Sequence, residues 1–94
     1  MKFINVPGKN KTHETKLYAL STCVHCKAVK QFLRDNDVEF EYIDVDLCDK
    51  NDQQEIVRDI VKRGGQLSFP KIIVDDVIMI TGFDKKRIKE SLEN

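Results

Sequence analysis

The sequence predicts an α/β domain with the element order β-α-β-α-β-β-α, preceded by an additional strand at the sheet edge. Three observations predict it. The apolar run Leu17-Tyr18-Ala19-Leu20 leads into residues at helical spacing, Ala28, Val29, Phe32 and Leu33. The partly alternating stretch Phe40-Glu41-Tyr42-Ile43-Asp44-Val45 follows, and the three together have the pattern of a βαβ unit. A second helical stretch, with Ile56, Val57, Ile60 and Val61 facing inward, stops at Gly64-Gly65. Finally, Ile72-Ile73-Val74 and Val77-Ile78-Met79-Ile80 flank Asp75-Asp76 as the two arms of a β-hairpin.

Each element has its own warrant. Met1 to Val6 reads as a weak strand with Phe3 on one face, and Pro7-Gly8-Lys9-Asn10-Lys11 is a turn-rich break. Residues 1–14 therefore form an extension and residues 15–94 the domain. The strand Lys16 to Leu20 and the strand Glu39 to Val45 are parallel, because a crossover through a helix is right-handed and packs that helix on one face. The helix between them runs from Val24 to Asn36, stops at Asp35-Asn36-Asp37, and carries Lys27, Lys30 and Arg34 on its solvated face. Asp49 or Asn51 caps the second helix, and Asp84 caps the last, with Ile88 and Leu92 inward. Asp-Asp is not the favoured pair for a two-residue hairpin turn, so a looser turn is expected. The strand Lys16 to Leu20 is flanked on both sides, by 40–45 and by 72–74, so the extension is expected at an edge, the closer one beside 40–45.

Composition narrows the function classes. A chain of 94 residues supports one compact core. Sixteen basic against sixteen acidic residues give no electrostatic reason to bind nucleic acid or an anionic membrane. No apolar run exceeds four residues, too short for a membrane span or the core of a signal peptide, so the expected setting is cytoplasmic and the expected state a monomer. Three cysteines, an odd count, fit one working pair and a bystander, Cys48, in the acidic turn Asp46-Leu47-Cys48-Asp49.

The pair is Cys23-Val24-His25-Cys26, at the junction of the first core strand and its helix. The first N–H groups of a helix lack intrahelical partners and the macrodipole is positive there, so a sulfur at this point is favoured as a thiolate. A helix terminus contributes about 0.3–2 kcal/mol toward an anion, and His25, Lys27 and Thr22, the last as a cap and shield, are candidates to tune it further. Cys23, the more exposed thiol, is the expected nucleophile and Cys26, one turn inward, the resolving thiol. No cofactor is required, because the two sulfurs carry the two electrons. Other readings use the same residues. Cys-x-x-Cys is half of a zinc site, but only His13, His25 and Cys48 remain to complete four ligands. An iron–sulfur cluster bridging two chains, a structural disulfide and an interaction module with inert thiols are the further alternatives.

The dithiol, Ser68-Phe69-Pro70 before the hairpin and Gly82-Phe83 before the last helix together resemble the glutaredoxin branch of the thioredoxin fold, over residues 16–94. The resemblance implies a cis peptide before Pro70, facing the dithiol, and substrate contacts from Phe69, Pro70, Gly82 and Phe83. Members that use glutathione commonly have Pro and an aromatic residue between the cysteines, a lysine three positions before the first, and Gly-Gly before the last helix. Here those positions hold Val24-His25, Leu20 and Gly82-Phe83, which removes a cation for a glutathione carboxylate and adds bulk at the tripeptide's other end. Cys-Val-x-Cys, Lys30 four residues after Cys26, and Gly-Phe instead resemble the redoxins that donate electrons to ribonucleotide reductase. That implies a protein disulfide reductase without glutathione specificity. Its electrons would come from thioredoxin reductase or a ferredoxin-dependent reductase.

Overall fold

The computed structural model describes residues 1–93. The strands are β1 (Ile4–Val6), β2 (Thr15–Ala19), β3 (Phe40–Asp44), β4 (Lys71–Val74) and β5 (Ile78–Thr81). The helices are α1 (Val24–Asp35), α2 (Lys50–Lys62) and α3 (Lys85–Leu92), with a 3-10 turn at Val45–Leu47. Val45 thus leaves the expected strand to start that turn, and Leu20 lies beyond the end of β2.

The five strands form one sheet in the order β1-β3-β2-β4-β5. β2 and β3 are parallel, as the crossover through α1 requires, and every other pair is antiparallel. Alternation then sorts the core. Leu17 and Ala19 of β2, Ile72 and Val74 of β4, Phe40 and Ile80 face α1 and α3, where Val29, Leu33, Ile88 and Leu92 meet them. Tyr18, Ile43 and Ile73 face α2, against Ile56 and Ile60. Because helices cover both faces, all four residues of β4 are buried.

The buried stripe of α2 is narrower than the sequence suggests. Val61 is 57% exposed, since it sits about a hundred degrees round the helix from the Ile56–Ile60 seam that meets the sheet. Of the two candidate caps, Asp49 is the one used, accepting the Asp52 N–H at 2.8 Å. The Tyr18 hydroxyl donates to Asp59 at 2.6 Å, and Arg63 donates to Asp59 and to the Asp76 carbonyl, tying α2 to the sheet and to the hairpin tip. At that tip both Asp75 (φ 53°) and Asp76 (φ 59°) are left-handed, and Val74 pairs with Ile78, so three residues make the turn.

The extension takes the predicted edge. Ile4, Asn5 and Val6 pair antiparallel with Tyr42, Glu41 and Phe40. Further on, Asn10 exchanges backbone hydrogen bonds with Asp37 and Glu39, and His13 and Glu14 bond Asp75, at the end of the sheet remote from Cys23. Between these anchors Gly8 lies flat on the backbone before β3: a Cβ there would come within 2.6 Å of Glu39 N and Val38 C. Gly8→Ala is therefore expected to cost about 1–3 kcal/mol in urea unfolding, as overpacking against rigid backbone does. Deleting residues 1–12 should lower the melting temperature, because it bares the β3 edge.

Candidate dithiol site

The site is assembled where β2 ends and β4 begins. Tyr18 pairs with Lys71, so the loop leaving β2 and the segment reaching β4 lie at the same end of the sheet. The chain turns after β2 through a Cys23 N–H to Leu20 carbonyl bond of 3.2 Å. The Asp46 carboxylate holds that turn from outside: Oδ1 accepts the Ser21 N–H at 2.8 Å and Oδ2 accepts the Ser21 hydroxyl. These bonds keep the Asp46 carboxyl below its ordinary range.

Helix α1 then opens with Cys23 as its N-cap, in extended conformation (φ −83°, ψ 122°). Its Sγ accepts the Cys26 N–H at 3.1 Å and its carbonyl accepts the Lys27 N–H at 3.1 Å. The expectation that Thr22 caps the helix is corrected: Cys23 itself fills the role that Ser, Thr or Asp usually fills, and Thr22 is an exposed turn residue. The nucleophile candidate's sulfur thus sits on the helix's open N–H groups. Cys26, one turn inward, has no exposed surface. Its pKa is pushed up to about 12, chiefly by burial and then by hydrogen bonding to Cys23, with Lys30 pulling the other way.

Other expected residues fall as follows. His25 and Lys27 are exposed in the first turn of α1, and among the described residues the His25 side chain has no hydrogen bond or ion pair. Lys30 is not on a solvated face. Its side chain is 13% exposed, with Nζ 3.1 Å from Asp44 Oδ1 and 4.1 Å from the centroid of the Tyr42 ring, because β3 runs beside α1 there. The Phe69–Pro70 peptide is cis, and Pro70 is buried. The Pro70 carbonyl accepts the Gly82 N–H at 2.9 Å, and Gly82 has φ +81°, a conformation that glycine adopts without strain. Phe83 meets Phe32 of α1 edge to face, with ring centroids 6.0 Å apart. Cys23, Phe69 and Phe83 all pack, half-buried, on the α1/α3 core.

Cys48 belongs elsewhere. It packs on the α2 face of the sheet, and its pKa is raised by burial first and then by Asp52 and Asp49. Among the described residues no three His, Cys, Asp or Glu side chains converge on a metal position. A metal held by the dithiol would therefore draw further ligands from another molecule.

The glutaredoxin family model matches residues 15–79. The chain belongs to the glutaredoxin family. This glutaredoxin is 32% identical over 78 residues to an uncharacterized glutaredoxin-like 8.6 kDa protein in a rubredoxin operon of Clostridium pasteurianum, covering 83% of this chain and 96% of that one. It superposes on the glutaredoxin of Methanosarcina mazei Go1 with a TM-score of 0.89 and 35% identity, over 100% and 90% of the two chains. Against NrdH-redoxin of Escherichia coli, a glutaredoxin-like protein with a thioredoxin-like activity profile, the TM-score is 0.65 at 26% identity, over 82% and 92%. The fold is thioredoxin-like and the protein a thiol redoxin.

Two residues of this glutaredoxin's site have no local signal in the sequence. Asp46 reaches Ser21 across 25 positions, and Asp44 reaches Lys30 across 14. Both contacts exist only because β3 lies parallel to β2 beneath α1.

The contrast between the thiols is measurable. In a Cys23→Ser variant, Cys26 should react with iodoacetamide at pH 8 at least about 100-fold more slowly than a free thiol, since the thiolate is the nucleophile. The Cys26 proton also links to stability. The unfolded chain releases it near 9.0 and the folded chain near 12, so stability present at neutral pH is lost as pH climbs through that window. Urea midpoints measured from pH 8 to 11 should fall less steeply in Cys26→Ala.

Proposed function

We propose that this glutaredoxin reduces disulfides in proteins through Cys23 and Cys26. The observation that carries the reading is the Cys26 N–H bond to Cys23 Sγ at the start of α1, with Cys26 itself sealed from solvent. Cys23 attacks one sulfur of the substrate disulfide, and the other sulfur leaves as a thiolate that takes up a proton. Cys26 then gives up its proton and attacks Cys23 Sγ in the mixed disulfide. The substrate leaves with two thiols, and the Cys23–Cys26 disulfide retains the oxidation that the substrate lost. A buried, weakly acidic Cys26 suits the second role, because it stays protonated until the mixed disulfide forms beside it.

Substrate approach has support in the backbone. Among the described residues nothing hydrogen-bonds the N–H or the C=O of Phe69, the residue before the cis proline. A substrate segment in extended conformation can pair with both, as a strand pairs with a free edge. Phe83 and Leu20 support a reductant other than glutathione, for the steric and charge reasons of the sequence. Thioredoxin reductase or a ferredoxin-dependent reductase is the proposed electron source, and the likeness to a redoxin with a thioredoxin-like activity profile points the same way. Ribonucleotide reductase is a candidate target.

Cys26→Ser should trap a mixed disulfide with its target in non-reducing gels, and Cys23→Ser should trap none. Equal trapping by both variants would overturn the order of attack. Offered separately, thioredoxin reductase with NADPH or a ferredoxin-dependent reductase should reduce the oxidised protein at least ten times faster than glutathione does. Equal rates would return glutathione to the mechanism. If His25 tunes the thiolate, His25→Ala should make the couple less oxidising by about 30 mV, equivalent to about 1.4 kcal/mol. A potential unchanged within a few millivolts would leave His25 as a surface residue.

A further inference from the structure

Lys71 is the first residue of β4, an interior strand between β2 and β5, and no part of its side chain is exposed. Lysine is almost never fully buried unless it is paired, yet among the described residues no carboxylate lies within ion-pair reach of it. Its Nζ instead donates to two neutral hydroxyls, Ser68 Oγ and Thr81 Oγ1, each at 3.0 Å. Burial pushes its pKa down. A methionine or leucine would fill the same space beside Ile72, Ile73 and Val74 without desolvating an ammonium. Packing alone does not account for a lysine here.

The two acceptors explain it better. Ser68 directly precedes Phe69, whose N–H and C=O have no partner among the described residues, and Thr81 directly precedes Gly82, whose N–H bonds the Pro70 carbonyl. Thr81 is also the cross-strand partner of Lys71, so its side chain stands on the same face of the sheet. Phe69 packs on the core and the Pro70 carbonyl accepts the Gly82 N–H, whereas before them the Ser68 N–H bonds only the Gln66 carbonyl, so the Lys71 bond is the tie that fastens Ser68 to the sheet. One ammonium thus ties together the segments that carry Phe69-Pro70 and Gly82-Phe83.

We propose that Lys71 is a positioning residue that, by holding Ser68 to Thr81, orients the Phe69 backbone for an extended peptide disulfide. The inference rests on the proposed disulfide-reductase reading and adds its specificity: peptide disulfides, which use that backbone, depend on the clamp, whereas reagents that need only the sulfur of Cys23 do not.

The test removes the acceptors rather than the buried amine. In Ser68→Ala/Thr81→Val, both exposed positions, the KM for a synthetic cyclic peptide disulfide should rise about 5–10-fold with kcat unchanged, the pattern of lost binding. Iodoacetamide should alkylate Cys23 at the wild-type rate. Amide exchange at Gly82 should accelerate at least about tenfold, because its bond to Pro70 loses its brace. Thr81→Ser, which keeps the hydroxyl, should behave as wild type, and Lys71→Met should reproduce the double variant. A wild-type KM in the double variant overturns the proposal. So does a raised KM with unchanged Gly82 exchange, which would mean that the hydroxyls touch substrate directly. A wild-type protein inert toward the peptide would instead sink the disulfide-reductase reading, while Gly82 exchange would still decide whether the clamp exists.

Discussion

The bond from the Cys26 N–H to Cys23 Sγ sets the conditions for the rest of the site. It requires Cys23 to stand at the helix cap in extended conformation, which fixes the direction in which α1 leaves the sheet. It also requires Cys26 to follow one turn later, on the face of α1 that meets Leu17, Ala19 and Ile72. The half-buried Cys23 sulfur gains a donor at the positive end of a helix, while the second sulfur is carried into an apolar layer where its proton is hard to remove. The two thiols therefore differ through one geometric fact, their places in the first turn of one helix, Cys23 at the cap and Cys26 three residues on against the core.

That geometry has to be held by parts of the chain distant in sequence. Asp46, leaving β3, clamps the turn before Cys23 through two bonds to Ser21. Lys30, one turn beyond Cys26, is neutralised by Asp44 and stacked on Tyr42, so its charge is kept close to the dithiol and out of bulk water. On the other side, β4 begins at the cis proline, and the Pro70 carbonyl bond from Gly82 fixes the hairpin's far arm to it. Strands on both sides of β2 thus each contribute one wall. The extension acts at the opposite end. β1 covers the β3 edge, and the His13 and Glu14 bonds to Asp75 fasten the hairpin tip at the end of the sheet remote from Cys23.

How much of this was legible follows from the range of the interactions. The helix cap position of the dithiol, the βαβ unit, the hairpin and the caps Asp49 and Asp84 depend on residues within a few positions of one another, and their patterns survive in one dimension. The edge taken by the extension was also readable, because β2 has to have neighbours on both sides and the β3 edge is the closer of the two that remain. The local pattern misleads where a third element of the fold decides the environment. Lys30 has the spacing of a solvated helix face, but β3 passes beside it. Val61 is apolar at an inward-looking period, but the contact seam of α2 is only as wide as Ile56 and Ile60. Thr22 has the chemistry of a cap, yet the turn held by Asp46 still includes it and leaves Cys23 at the helix start.

The amino-acid order carries the local pattern: two sulfurs spaced to share one helix turn, at the mouth of a strand, with a proline and a glycine-aromatic pair further along the chain. Local spacing and backbone propensity act over a few residues, and the amino-acid order records them directly. The environment of those atoms comes from the packing of the whole sheet. That packing sealed Cys26, turned Lys30 inward, recruited Asp46 and Asp44 from β3 and its exit, and buried the Lys71 ammonium between two hydroxyls. Burial, desolvation and long-range hydrogen bonds depend on which strand lies beside which, and that choice belongs to the packed sheet rather than to any stretch of the chain.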